Sequence, residues 1–193
     1  MGNLIDAIRG RRSIRKYKPD SVDSGVIRDI LDLAVWAPSP FNSQPWNFAV
    51  FSHHYVLGRQ ANVGEFLFRQ TVPAMEQVFK KQDLSHLIVK KFLGSFGNAP
   101  HLIGVLRSAR LGAVDAEFQR AACYAVVQNI LLVTHDKGLG ACWIGVDEAS
   151  RQEAQAILGI TPEMGELLAL ITIGVPDQGV RQLERKPFET WFF

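Results

Sequence analysis

Hydrophobic and polar residues along the chain follow two periods, one typical of helices and one typical of strands. Apolar residues recur every three or four positions over residues 21–34 and again over 115–137, which predicts two helices that each bury an apolar face. Four shorter stretches have the apolar composition of strands, and they lie at 46–51, 101–107, 141–145 and 165–176. Because the two patterns do not alternate regularly, we predict an α+β fold in a single domain over residues 1–193.

Further helices are predicted at the N-terminus, in the middle and before the last strand. A short helix follows Asn3, and a helix over 147–158 begins at a capping aspartate. The region 55–98 has the least regular pattern, and helices over 72–82 and 87–93 are its best interpretation.

The helix predicted over 115–137 and the C-terminal tail have unusual patterns. The helix carries apolar residues on more than one stripe, which is typical of a helix at the centre of a fold or at a subunit interface. The tail over 177–193 is polar and ends in aromatic residues, which predicts an extended arm rather than a core element.

Composition narrows the class of protein. The chain is 47% hydrophobic and 21% charged with a net charge of +2, which is typical of a globular domain with a sizeable core. So small a net charge disfavours a protein that coats nucleic acid. The N-terminus lacks the pattern of a signal peptide and no apolar run is long enough to span a bilayer, so we expect a soluble, cytoplasmic protein.

A local concentration of charge occurs in RRSIRKYKPD, the segment Arg11–Asp20, where five of the first eight residues are basic. If the segment is extended, Arg11, Ser13 and Arg15 share one side of it. Two guanidinium groups that flank a hydroxyl suit a phosphate. A solvated basic turn and a nucleic-acid site are the alternatives.

Two other segments have the character of ligand-binding loops. APSPFNSQPW over 37–46 contains three prolines that stiffen the chain around Ser39 and Asn42, although a rigid structural turn is an equal alternative. GLGACWIG over 138–145 has three glycines, which allow a flat ligand to approach the backbone closely. Its Trp143 and Ile144 are predicted to be core residues.

Common catalytic motifs are absent from the sequence. The cysteines Cys123 and Cys142 have no zinc or disulfide spacing, and Cys123 is predicted to be a buried free thiol. The histidines show no metal-binding pattern, and no GxSxG elbow occurs. Features for an anion and a flat ligand without a nucleophile indicate that a cofactor supplies the chemistry.

Four segments in order, RRSIRKY, APSPFNSQPW, GLGACWIG and ITIGVP followed by RKP, resemble the nitroreductase family of FMN-dependent oxidoreductases. The resemblance implies a central, mostly antiparallel sheet flanked by helices, with the long helix at the interface of a homodimer. It also implies that the arm over 177–193 reaches the partner subunit. No nucleic acid or membrane partner is expected.

The family pattern assigns eleven residues of this chain to the flavin site: Arg11, Arg12, Ser13, Arg15, Pro38, Ser39, Asn42, Ile144, Gly145, Arg185 and Lys186. By this resemblance the first four hold the FMN phosphate and ribityl chain, and Arg15 also reaches the edge of the isoalloxazine. The three from the proline-rich loop come from the partner subunit and line the ring. Ile144 and Gly145 lie beside the ring with a backbone N–H aimed at N5, and the last two close over the phosphate.

The resemblance also implies the chemistry, a ping-pong transfer of hydride from NAD(P)H through flavin N5 to an electron-poor acceptor such as a nitroaromatic or a quinone. No side-chain acid or base is required. A flavin-binding protein without turnover and a divergent branch with another reductive chemistry are the alternatives. Gln60, Asn62 and Gln70 are candidates for the pyrimidine edge, and Leu183 stands where some family members carry a second cation.

Overall fold

The computed structural model describes residues 4–78, 84–109, 115–180 and 184–193; within the helices, the side chains at 53, 54, 56–62, 74, 76, 78 and 84–86 are outside the description. A four-stranded sheet forms the centre, with β1 (Trp46–Ser52), β2 (His101–Arg107), β3 (Gly140–Gly145) and β4 (Glu166–Gly174). The strand order is β1-β2-β4-β3, and every neighbouring pair is antiparallel. The predicted antiparallel sheet is therefore observed.

Six α-helices in the described part of the chain accompany the sheet: α1 (Leu4–Gly10), α2 (Ser24–Ala34), α3 (His53–Val78), α4 (Leu84–Ser95), α5 (Ala116–Asp136) and α6 (Glu148–Leu158). Short 3₁₀ turns occur at Pro40–Asn42 and Phe96–Asn98. Within the described ranges, none of these helices combines the length and the apolar character needed to cross a membrane.

Aspartate caps set the beginning of three helices. The side chain of Asp23 accepts the Gly25 N–H at the start of α2, and Asp147 accepts the Ser150 N–H at the start of α6. Asp115 acts in the same way at the start of α5. Each cap satisfies a backbone donor that the first helical turn leaves without a partner, which fixes the boundaries that the sequence predicts.

The sheet is covered on both faces. Helices α2 and α5 pack on one face around Ile30, Val126 and Ile171, whereas α3, α4 and α6 pack on the other face around Leu106 and Leu158. Alternate residues of a strand point to opposite faces, so each strand contributes to both cores. Cys123 is fully buried in the α5 core as a free thiol, as predicted.

The middle region differs from its prediction. Helix α3 begins at His53, well before the predicted helix over 72–82, and residues 79–82 of that prediction lie outside the described residues. Of the side chains described in α3, only Val63, Leu67 and Met75 are buried hydrophobics. So few core positions give a weak helical period, which explains why the sequence pattern does not reveal the first half of this helix.

Glu166, at the start of β4, joins four elements through an ion cluster. Its carboxylate accepts hydrogen bonds from Arg107 of β2 at 2.5 Å, from Arg120 of α5 at 2.8 Å, and from Arg151 of α6. Burial opposes the charge on Glu166, but hydrogen bonds from Arg120 and Arg107 and the charge of Arg151 outweigh it, so the pKa of Glu166 is lowered. We refer to these four residues as the Glu166 cluster.

Candidate functional site

The basic segment near the N-terminus is extended and is held along the edge formed by β3. Ser13 forms a parallel bridge with Ala141, and the Ile14 N–H donates to the Ala141 carbonyl at 2.9 Å. Further along, Tyr17 forms an antiparallel bridge with Pro176, beyond the end of β4. The segment is therefore fixed between β3 and the chain that follows β4.

Side chains of this segment alternate as the sequence predicts. Ile14 is buried, and a Cβ added to Gly140 would lie 2.8 Å from the Ile14 Cβ, so only glycine leaves room for Ile14 at that position of β3. On the opposite side, Arg15, Ser13 and Arg11 all affect the pKa of the Cys142 thiol.

The pKa of Cys142 shows that those three residues lie on the same side of the segment. Burial raises the pKa of its thiol, while the charge of Arg15, a hydrogen bond with Ser13 and the charge of Arg11 act in the opposite direction. The net shift is upward, so the thiol stays protonated at neutral pH. The three side chains therefore lie on one side of the segment, and two guanidinium groups with a hydroxyl suit a phosphate.

Arg185 brings a third cation to this place. The pKa of Arg11 is lowered by burial and by the neighbouring charges of Arg12 and Arg185. Among the described residues, Arg11 forms no ion pair with a carboxylate. We refer to Arg11, Arg12 and Arg185 as the cationic cluster. Because their mutual repulsion is relieved by an anion, these residues fit the doubly charged phosphate of FMN.

Arg12 and Lys186 occupy different surroundings from Arg11. The Arg12 Nη1 donates to the carbonyl of Arg9 at 2.6 Å and to that of Arg11 at 2.8 Å, so this group caps the C-terminal end of α1. Lys186 lies on the exposed arm next to Arg185. Neither residue makes the approach to Cys142 that marks the alternating face.

Two residues that the sequence pattern does not predict support Arg15. The Gln178 side chain accepts the Arg15 N–H with its Oε1 at 2.7 Å. The Arg15 Cζ lies 6.0 Å from the centre of the Phe92 ring, at a distance suited to a cation–π contact. Phe92 lies within the helix predicted over 87–93, but only the tertiary structure reveals that it faces Arg15.

The outer edge of β3 extends beyond the part that the N-terminal segment covers. Ala141 turns its carbonyl to the N-terminal segment, and backbone groups of alternate strand residues point to the same edge. Gly145 consequently directs its N–H away from β4, although it pairs in register with Ala169. A Cβ added at Gly145 would meet nothing within 4 Å, so open space adjoins this backbone.

Trp143 corrects one prediction. The sequence predicts a core residue, yet Trp143 is 43% exposed, and its ring packs against that of Tyr124 with centroids 5.7 Å apart. Because β3 is an edge strand, a side chain near its outer end lacks a neighbouring strand to cover it. Ile144 is half-buried and packs against the core between the sheet and α3, α4 and α6.

The proline-rich loop is held by its own hydrogen bonds. Ser39 Oγ accepts the Gln44 N–H at 3.1 Å, and the Gln44 side-chain amide donates to Asn42 Oδ1 at 3.2 Å. Phe41 and Asn42 have φ values of 53° and 56°, which are strained for residues other than glycine. Pro38 is exposed on the same loop.

Within one chain, this loop and the cationic cluster lie at different ends of α5. Pro45 of the loop accepts a contact from the Cys123 thiol, whereas Gly10, which precedes the cluster, lies against His135. Cys123 and His135 are twelve residues apart on α5, which separates them by roughly 18 Å at 1.5 Å per residue. The site residues from the loop therefore do not join the cationic cluster of their own chain.

The candidates for the pyrimidine edge stay predictions. The side chains of Gln60 and Asn62 are outside the description. Leu183, at the position of a possible second cation, also lies outside the described residues. Gln70 is exposed on α3.

Comparison with known proteins gives relatives over nearly the whole chain. The profile of the family described as "Nitroreductase family" matches residues 8–175. YodC of Bacillus subtilis (strain 168), whose name places it among the NAD(P)H nitroreductases, is 36% identical over 99% of this chain and 100% of its own length. The 4-nitrobenzoate reductase of Nocardioides sp. (strain LMS-CY) is 29% identical over 87% of this chain and 75% of its own.

The same fold occurs among solved structures. A protein from Desulfovibrio desulfuricans, described as a nitroreductase in complex with FMN, superposes with a TM-score of 0.66 at 26% identity. The alignment covers 98% of this chain and 99% of that chain. This match and the antiparallel sheet between two helical layers confirm the predicted fold class.

Proposed function

The chain belongs to the nitroreductase family, and from that premise we propose that it is an FMN-dependent oxidoreductase that carries hydride from NAD(P)H to an electron-poor acceptor such as a nitroaromatic or a quinone. When bound, FMN supplies the redox chemistry, since its N5 accepts hydride from NAD(P)H and gives it to the acceptor in a ping-pong cycle. One observation carries the proposal: Arg11, which forms no ion pair with a carboxylate among the described residues, lies near the charges of Arg12 and Arg185 on a segment that runs along the open edge of β3.

Arg11 and Arg185 hold the phosphate in this proposal, together with the Ser13 hydroxyl. Charge-assisted hydrogen bonds from guanidinium groups are the strongest that a protein offers to a phosphate. Arg15, on the same face of the segment, also donates to the phosphate in this proposal, and its contact with Phe92 orients the guanidinium. Arg12 and Lys186 add charge in the neighbourhood.

The flavin ring is assigned to the open edge of β3. The Gly145 N–H points away from β4 at the edge of the sheet, and in this proposal it donates to N5. Because Gly145 has no side chain, the ring can approach this backbone. Ile144 supplies the apolar contact beside it. These groups orient the ring without taking a proton, so the reaction requires no side-chain acid or base.

We also propose that the active unit is a homodimer. The distance between the proline-rich loop and the cationic cluster of one chain supports this, because a second copy has to bring Pro38, Ser39 and Asn42 to the ring. Exposed aromatic side chains give further support: Trp36 is 84% exposed and Phe41 is 95% exposed. Large apolar groups in solvent are typical of a surface that another chain covers.

The C-terminal arm supplies a second dimer contact in this proposal. Its aromatic residues are all strongly exposed in a single chain, namely Phe188, Trp191, Phe192 and Phe193. A cleft of about 370 Å³ between α2 and β1 is lined by apolar groups that include Ile27, Leu31 and Phe48. We place the partner's arm in this cleft, next to the edge of β1 that faces away from β2.

The test begins with the visible spectrum of the purified protein. We expect a yellow protein, or an apoprotein that takes up FMN stoichiometrically, and steady-state oxidation of NADH or NADPH when a quinone or a nitroaromatic is added. A colourless protein that takes up no FMN would refute the proposal. Bound FMN without turnover would instead identify a flavin-binding protein.

Light scattering tests the dimer. We expect a mass of two chains for the full-length protein, and a larger fraction of single chains when residues 187–193 are removed. A full-length protein that is monomeric with FMN bound would contradict the shared site.

A further inference from the structure

Gln178 replaces a partner strand for part of the basic segment. Its Oε1 accepts the Arg15 N–H at 2.7 Å, and its Nε2 donates to the Ser13 carbonyl at 3.4 Å. In an extended chain these two backbone groups point to the same edge. One side-chain amide therefore satisfies both of them, as a neighbouring strand does.

The other edge of the segment is already fixed by backbone hydrogen bonds. The Ile14 N–H donates to the Ala141 carbonyl at 2.9 Å, and the Asp177 N–H donates to the Lys16 carbonyl at 2.9 Å. Gln178 is thus the group that holds the opposite edge at the position of Ser13 and Arg15. It is half-buried, and it lines a cleft of about 170 Å³ together with Arg11 and Arg12.

We propose that Gln178 is a positioning residue for the FMN phosphate site; this inference rests on the function proposed above. Ser13 and Arg15 carry their hydroxyl and guanidinium groups on the backbone that Gln178 holds. Without the amide, these donors sample more orientations, and ordering them costs free energy each time the phosphate binds. Gln178 itself makes no contact with the cofactor in this proposal.

The consequence is specific to the phosphate. Riboflavin has the same ring and ribityl chain as FMN but no phosphate, so its affinity does not depend on the order of the phosphate donors. Loss of the Gln178 amide should raise the dissociation constant of FMN about three- to tenfold, as expected for one or two hydrogen bonds. The dissociation constant of riboflavin should stay within twofold.

The experiment compares Gln178→Ala and the similarly sized Gln178→Met with a matched control. Gln155 uses its amide in the same way far from the site, since it donates to the Gly165 carbonyl at 3.2 Å and accepts the Leu167 N–H at 3.0 Å. Gln155→Ala therefore removes an equivalent pair of hydrogen bonds. Flavin fluorescence titrations of the full-length apoproteins give both dissociation constants, and thermal unfolding gives their stabilities.

We expect both Gln178 variants to lose FMN affinity but not riboflavin affinity, and Gln155→Ala to lower the unfolding temperature without changing the ratio of the two constants. An equal loss of both affinities would show a merely structural role and overturn the inference, as would unchanged FMN affinity. A wild-type protein that binds neither flavin would instead refute the proposed function itself.

Discussion

The described residues include two groups of three arginines. A carboxylate lies at the centre of one group, whereas Arg11 of the other group pairs with no carboxylate among these residues. In the Glu166 cluster, three guanidinium groups from three elements converge on one carboxylate whose side chain is only 15% exposed. In the cationic cluster, the charges of Arg12 and Arg185 act on Arg11, and no carboxylate pairs with Arg11 among the described residues.

The difference separates a structural role from a binding role. A buried carboxylate with several donors joins the elements that carry those donors, so its charge contributes to folding stability. Arg11 receives no stabilisation of that kind, because the neighbouring charges of Arg12 and Arg185 repel it. Arg11 is therefore placed for an anion that arrives after folding, whereas Arg107, Arg120 and Arg151 are engaged from the start.

The largest expected effect comes from removing two charges of the phosphate site. Arg11→Ala combined with Arg15→Ala should weaken FMN binding at least a hundredfold, because each charge-assisted hydrogen bond contributes about 1.5–3 kcal/mol. The free energy of unfolding of the apoprotein should stay the same or rise, since repulsion with Arg12 is removed. Fluorescence titration and chemical denaturation measure the two quantities.

A matched control removes the same charge from the same segment. Lys16 and Lys18 are exposed, and Lys16 pairs with the exposed Asp177. Lys16→Ala with Lys18→Ala should change FMN affinity by less than threefold. If this control weakens FMN binding as much as the arginine double variant does, FMN is attracted by nonspecific positive charge. The assignment of Arg11 and Arg15 to the phosphate is then wrong.

The opposite outcome is expected at the second cluster. Glu166→Gln keeps the size of the side chain but leaves three guanidinium groups without their carboxylate, so the apoprotein should lose about 2–4 kcal/mol of stability. FMN affinity per folded molecule should be unchanged. Glu153→Gln, on the exposed face of α6, serves as the control and should stay within about 0.5 kcal/mol of the wild type. Equal stabilities of the two variants would contradict the structural role of Glu166.

Acid titration distinguishes the clusters further. The pKa of Glu166 is lowered in the folded protein, so its contribution is present above the unfolded value of about 4.3 and is lost as the pH falls through the folded value. The stability difference between wild type and Glu166→Gln should therefore be constant near neutral pH and shrink below about pH 4.3. Denaturation curves at several pH values test this. A difference that persists at the lowest pH would show that shape, not charge, is responsible.

The two clusters also show what sequence patterns reveal. The basic segment around Arg11 was visible because its charges are local and alternate with Ile14, and the same local periods predicted α5, β2 and β4. The Glu166 cluster was not visible, because Arg107, Arg120 and Arg151 lie on separate elements and meet Glu166 only in the folded chain.

Long-range supports of the site were hidden for the same reason. Gln178 contacts Arg15 across most of the length of the chain, and no periodic pattern relates the two positions. The sequence predicts Trp143 in the core because the residue is large and apolar and lies in a short predicted strand. Its exposure follows from the place of β3 at the sheet edge, which depends on the order of all four strands.

The smallest expected effect concerns Arg12, which belongs to the cationic cluster yet donates to the carbonyls of Arg9 and Arg11 at the end of α1. If its role is to cap that helix, Arg12→Ala should cost about 0.5–1 kcal/mol of stability and weaken FMN binding less than fivefold. Arg9→Ala removes a neighbouring charge but keeps the carbonyl, so it is the matched control and should have little effect on either quantity. An Arg12→Ala protein of unchanged stability that loses FMN as strongly as Arg11→Ala would place Arg12 on the phosphate. All three arginines of the cationic cluster would then belong to the phosphate site, and Arg9 would lie outside it.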